Sequence, residues 1–139
     1  MPSKYKNIKP PTEAEEQKAF VQWLKFMNIA HTAVTNEQQM SSQNKLMALR
    51  SGAKQKAMGR SKGFPDMIII LEDKCLFIEM KRVKGSTTSK EQKVWIETLN
   101  GLGHHSKVCK GAKEAIEFVE LYLPERKKKI NVKQGKLDV

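Results

Sequence analysis

Gly63-Phe64-Pro65-Asp66-Met67-Ile68-Ile69-Ile70-Leu71-Glu72-Asp73-Lys74-Cys75-Leu76-Phe77-Ile78-Glu79-Met80-Lys81 is the stretch that decides the fold. Met67 to Leu71 are apolar at every position, the mark of a strand covered on both faces. Glu72-Asp73-Lys74 turns the chain into a second strand, Cys75 to Lys81, and the two predict a hairpin at the centre of the fold. Alternate side chains of a strand share a face, so Phe77, Glu79 and Lys81 point one way and Leu76, Ile78 and Met80 the other. A carboxylate and an ammonium at the end of an apolar strand are costly unless paired, hydrogen-bonded or bound to an ion. Asp66 opens the first strand, and antiparallel pairing through the turn brings it beside Glu79 to Lys81.

Two carboxylates meeting in space next to a lysine match what magnesium-assisted phosphodiester cleavage requires. In that chemistry Asp and Glu oxygens hold the metal, which lowers the pKa of a bound water. A lysine positions or deprotonates that water, or stabilises the charge that builds on the phosphate. Each piece alone has a structural explanation: Pro65-Asp66 can simply start a strand, and Glu79-x-Lys81 can be a surface ion pair. The combination, set in a basic chain, favours the chemical reading.

Upstream of the hairpin lies Gly59-Arg60-Ser61-Lys62-Gly63, a basic loop flanked by glycines and suited to phosphate. It ends an acid-free stretch, Gln38 to Pro65, that holds six basic residues: Lys45, Arg50, Lys54, Lys56, Arg60 and Lys62. Ser41 to Ala57 within it reads as a helix with Leu46, Met47, Leu49 and Ala53 as its apolar set. Before that, Thr12 can cap a helix from Glu13 to Met27 whose stripe is Phe20, Val21, Trp23, Leu24 and Met27. His31 to Thr35 is a short β-branched strand, and Asn36-Glu37 at its end is explained equally by substrate contact or by a turn. Downstream, Ser86 to Ser89 caps a helix from Lys90 to Leu102, His105 to Cys109 is a strand, and Ala112 to Leu123 is a helix stopped by Pro124. The order helix, strand, helix, hairpin, helix, strand, helix predicts an α/β fold, a mixed central sheet with helices on both faces.

Composition agrees with a polyanion partner. Lys and Arg outnumber Asp and Glu by 26 to 15, a net charge of +11 with a pI near 9.7. The 139 residues fit one domain, divided into a flexible start (1–11), a single domain (12–123) and a basic tail (124–139). Arg126 to Lys129, Lys133 and Lys136 give the tail nonspecific phosphate attraction or only a solvated end. No apolar run approaches the roughly 20 residues that cross a bilayer, so the chain is expected to be soluble and intracellular, with no membrane partner. Cys75 and Cys109 read as reduced core or near-core thiols, and His31, His104 and His105 form no zinc pattern. Trp23 and Trp95 fall at core spacing rather than as base-stacking platforms.

Pro65-Asp66, twelve residues, then Glu79-Met80-Lys81 resembles the PD-(D/E)XK nuclease signature. With Gly63, Arg82 and a later Gln92, the setting resembles its VRR-NUC branch over roughly Glu13 to Val119. The resemblance implies a restriction-endonuclease-like fold and a Mg²⁺-dependent DNA endonuclease, with Mn²⁺ a substitute, leaving a 5′-phosphate. It implies that Asp66, Glu79 and the Met80 backbone carbonyl ligate the metal and that Lys81 works on the attacking water. An acid of the first helix is implied to reach the metal as well. Glu13 shares a face with Gln17, Phe20 and Leu24, while Glu16, on the face of Phe20, Trp23 and Met27, is its rival. Either could instead complement the helix dipole. A glutamine at Gln92 is implied to support the lysine, against a competing role for the same side chain in a Ser89-x-x-Gln92 capping box. Lys54, Arg60, Lys62, Arg82 and Lys84 are the candidate DNA contacts. Stand-alone members of the group imply a homodimer acting on branched DNA such as four-way junctions. A noncatalytic nucleic-acid-binding module is the alternative, and a nuclease-like recruitment subunit a third reading. A pure binder, however, gains nothing from carboxylates placed where the basic surface converges.

Overall fold

A computed structural model describes residues 8–34 and 45–125. The elements run α1 (Glu13–Phe26), β1 (Ala30–Ala33), α2 (Lys45–Ala57), β2 (Met67–Ile70), β3 (Cys75–Lys81), α3 (Lys90–Gly101), β4 (His105–Lys110) and α4 (Gly111–Glu120). This is the order read from the sequence. Thr35, Asn36-Glu37, the proposed start of the second helix at 41–44, residues 1–7 and the basic tail from Arg126 lie outside the described residues.

The four strands pair in the order β1-β2-β3-β4. β1 and β2, and β2 and β3, run antiparallel, with Met67 opposite Ile78 and Ile70 opposite Cys75. β4 joins β3 in parallel, Glu79 opposite Val108 and Met80 opposite Cys109. The parallel return requires a crossover, which α3 supplies.

One face of the sheet carries the main core. Met67, Ile69, Leu76, Ile78, Met80 and Cys109 pack there against Phe20 and Leu24 of α1 and Ala115, Phe118 and Val119 of α4. The other face of β3 presents Phe77 to Phe64, whose ring in turn meets Trp95 of α3, both edge-on. The sheet is therefore mixed and covered by helices on both faces, as the sequence predicts.

Coverage of that second face is incomplete, which corrects the reading of Met67 to Leu71 as a strand buried on both sides. Ile68 is half-buried and Ile70 is 46% exposed, because among the described residues α3 packs chiefly on β4. Cys75, expected near the core, is exposed at the start of β3, while Cys109 is fully buried. Trp23 stacks on Phe20 in the core layer. Ala53 of α2, expected on an apolar stripe, is exposed.

Two helices begin with capping boxes. Thr12 Oγ1 accepts from the Glu15 N–H while Glu15 Oε1 accepts from the Thr12 N–H, and Ser89 and Gln92 repeat the exchange at α3. The start of α4 has no cap of its own. Its Ala112 N–H instead donates to Glu16 Oε2 at 2.6 Å, a carboxylate brought from α1.

Candidate active site

The site forms because β3 outruns β2. Pairing of the hairpin stops at Met67 opposite Ile78, so Glu79, Met80 and Lys81 continue without a β2 backbone beside them. The Met80 N–H donates instead to Asp66 Oδ2 at 2.9 Å. Asp66 is held from its other side as well, since its carbonyl accepts from the Val34 N–H at 2.6 Å, prolonging the β1–β2 pairing. In an antiparallel ladder the N–H and C=O of one residue leave on the same edge. The Met80 carbonyl therefore also leaves toward Asp66.

Glu79 is 2% exposed and Lys81 9%, both on the α3 face of the strand. Lys81 Nζ stands 3.6 Å from Glu79 Oε1, and Gln92 Nε2 donates to that same oxygen at 2.6 Å. Glu79 Oε2 is buried with no hydrogen-bond partner. Attraction across the 3.6 Å pair is worth about 5 kcal/mol at an effective dielectric of about 20, while desolvating each ion costs several kcal/mol. One lysine cannot offset a buried carboxylate and a half-buried one beside it, and the protonation equilibria register this. Burial first, then the Asp66 charge, push Glu79 up to about 8, with Lys81 opposing and the Glu13 charge and a hydrogen bond shared with Asp66 adding to the rise. Burial raises Asp66 too, against the lowering effect of the Met80 N–H and of Lys81. A proton shared with Asp66 or a bound cation would each satisfy Oε2 and relieve the crowding.

Glu13 and Glu16 separate clearly. Burial and the Asp66 charge raise the Glu13 carboxyl, while Lys81 and Arg82 lower it, so Glu13 lies within the field of the site. Glu16 is committed to the start of α4, where its Oε2 also fills the space a side chain on Gly111 would need. Among the described residues no three His, Cys, Asp or Glu side chains close on one point. The site is thus a two-carboxylate one with a third acid acting through its charge. Its unpartnered acceptor, Glu79 Oε2, is a hard oxygen, the donor type that Mg²⁺ and Mn²⁺ take.

Gln92 combines the capping role with a place in the site, through Glu79. Its Oε1 accepts from the Ser89 N–H at 2.9 Å, completing the capping box, while its Nε2 reaches Glu79. It contacts the carboxylate rather than the lysine.

The basic candidates are exposed, and among them Arg82 adds its charge to the field at Glu13. Arg82 follows Lys81 directly; its Nη2 donates to the Gly85 carbonyl at 2.9 Å, and the Ser86 hydroxyl donates to the Arg82 carbonyl at 2.9 Å, bracing a tight loop that carries exposed Lys84. Arg60 and Lys62 are exposed in the loop ahead of Asp66, and Lys54 is exposed on α2.

Two parts of the site escaped the sequence reading. Gly63 has φ +87°, and a Cβ there would stand 2.7 Å from Glu91 Cβ and 2.8 Å from the Gln92 nitrogen, so the loop backbone presses directly on the first turn of α3. Phe64, between Phe77 and Trp95, pins the same loop over the strand. The signal was present: Phe77 is on the Glu79 face of its strand, and Trp95 stands three residues after Gln92 on its helix.

The VRR-NUC domain family model matches residues 5–113. A solved structure, a "VRR_NUC domain protein", is similar at a TM-score of 0.65 and 26% identity, covering 84% of this chain and 91% of that one. No curated protein matches. With the matched span holding the hairpin, the crossover helix and every carboxylate of the site, the chain belongs to the VRR-NUC domain family, a nuclease-related group.

Proposed function

We propose that the chain is a divalent-metal-dependent endodeoxyribonuclease, with Asp66, Glu79 and Lys81 as its working residues. The observation that carries this reading is the buried, unpartnered Oε2 of Glu79, set beside Asp66 and across from Lys81. Two crowded carboxylates that release a shared proton when a cation arrives make a candidate cation site, and an adjoining buried amine supplies what phosphodiester hydrolysis adds to one.

Asp66, Glu79 and the Met80 carbonyl would hold Mg²⁺ or Mn²⁺, with Glu13 reaching it through water. The ion supplies Lewis acidity and a water of lowered pKa. Asp66, tethered by Met80, fixes where the ion can sit. Lys81 orients the attacking water and stabilises charge on the phosphate oxygens. Gln92 holds Glu79 by one oxygen. Arg82 and Lys84 on one side, and Arg60 and Lys62 on the other, draw the DNA backbone across the carboxylates, with Lys54 adding to the field. The product carries a 5′-phosphate.

With no separate recognition domain among the described residues, selectivity rests on substrate shape, and a homodimer acting on branched or junction DNA fits that need. Sedimentation showing a monomer at assay concentrations would remove the dimer from the proposal. The chemistry is tested by incubating single-stranded, duplex, flap and four-way-junction DNA with Mg²⁺ or Mn²⁺. Cleavage that survives both Asp66→Ala and Lys81→Ala undiminished would overturn the assignment. Binding without cleavage, and without a divalent site dependent on Asp66 and Glu79, would favour the noncatalytic module.

A further inference from the structure

The capping box of α3 and the carboxylate site share one carboxamide. The Ser89 N–H can only donate, so it must face the Gln92 oxygen, and it does at 2.9 Å. Glu79 Oε1 can accept, so it must face the Gln92 NH₂, and it does at 2.6 Å. Turning the amide over would set N–H against NH₂ at one end and oxygen against carboxylate at the other. Its orientation is therefore fixed from both sides. The backbone of the same residue is held by Ser89 Oγ, which accepts the Gln92 N–H at 3.1 Å, and is pressed by Gly63.

We propose that Ser89 is a positioning residue for Glu79: the α3 cap sets the Gln92 amide, which anchors Glu79 by Oε1 and leaves Oε2 as the oxygen free for a ligand. The inference deepens the carboxylate-site reading above and rests on it for its consequence in metal binding. A cap of the ordinary kind stabilises its helix and does nothing else. This one also orients a ligand-bearing side chain, as the hydrogen-bonding partners around metal ligands do.

The test uses the full chain with Ser89→Ala, with Ser89→Asp, which restores a capping acceptor, and with Val119→Ala as a core-weakened control of similar melting temperature. Two quantities are read well below melting: the Gln92 side-chain NH₂ signals in a ¹H–¹⁵N spectrum, and Mn²⁺ affinity by calorimetry. Ser89→Ala should shift and broaden the Gln92 signals and weaken Mn²⁺ about 10-fold. Ser89→Asp should recover both, and Val119→Ala should change neither. Wild-type signals and affinity in Ser89→Ala would overturn the proposal, as would an equal loss in Val119→Ala. A wild type that binds Mn²⁺ without cutting DNA would remove the nuclease reading, and the Gln92 signals would still decide this one.

Discussion

Met80 donates its backbone N–H to Asp66 Oδ2 at 2.9 Å, closing the gap where β3 runs beyond β2. A side chain thus stands in for a strand, and the carboxylate that does so is fixed to within a hydrogen bond of the Glu79–Lys81 edge. Asp66→Asn keeps an oxygen for Met80 while halving the carboxylate charge of the site. The fold should survive it and divalent binding should not, which calorimetry with Mn²⁺ checks.

Charge crowding sets a pH dependence of opposite sense to the usual one for acids. The ordinary Glu79 value is 4.5, and the folded value is about 8. Between these limits the folded chain without metal holds a proton that the unfolded chain has released. The contribution of Glu79 to stability is therefore greatest below about 4.5 and falls as pH rises toward 8, by on the order of a few kcal/mol. The raised Asp66 and Glu13 carboxyls act in the same direction. Thermal melts of the metal-free chain should show a lower midpoint at the alkaline end, and Mg²⁺ should restore more there than at the acidic end. A midpoint that climbs with pH through this window, without metal, would contradict the crowded-carboxylate site.

The two first-helix acids should part company. Glu16→Ala removes the charged acceptor at the start of α4 and should cost about 1–2 kcal/mol in urea unfolding, with Mn²⁺ affinity unchanged. Glu13→Gln relieves repulsion against Asp66, so the metal-free chain should be at least as stable, while Mn²⁺ binds more weakly. The reverse pattern would assign the metal-side role to Glu16.

Gly63→Ala places a side chain where φ is +87° and the Gln92 nitrogen would be 2.8 Å away. Strain and displacement of the first turn of α3 should cost about 1–3 kcal/mol. Cleavage should fall further than stability explains, because that turn carries Gln92. Denaturation midpoints read alongside cleavage rates separate the two effects.

Much of this arrangement was legible in the residues. The hairpin, its central place and the shared face of Glu79 and Lys81 follow from strand alternation and one polar turn, both local properties. Thr12 and Ser89 announced their helices as caps, Ser89 with Gln92 three residues on. What alternation could not convey was coverage: Ile70 is as apolar as Ile69, yet among the described residues it is left 46% exposed. Nor could helix periodicity rank Glu13 against Glu16, since the partner of Glu16 is an N–H donated 96 residues away. Gln92 illustrates a third limit. Two roles that compete in a pattern are compatible in space, because a carboxamide has a donor end and an acceptor end.

Lys81 is the residue on which chemistry and structure can be separated. Lys81→Met keeps the stem packed and removes the charge 3.6 Å from Glu79. Divalent binding should persist, while cleavage should drop about 10²–10⁴-fold in single-turnover rates.

The most direct measurement is cleavage of a panel of single-stranded, duplex, flap and four-way-junction DNA in Mg²⁺ by the wild type and by Asp66→Asn. A nuclease centred on Asp66, Glu79 and Lys81 requires the wild type to cut at least one of these substrates and the variant to lose at least about 100-fold. Equal cleavage by both proteins, or none by the wild type on any substrate in Mg²⁺ or Mn²⁺, would contradict it.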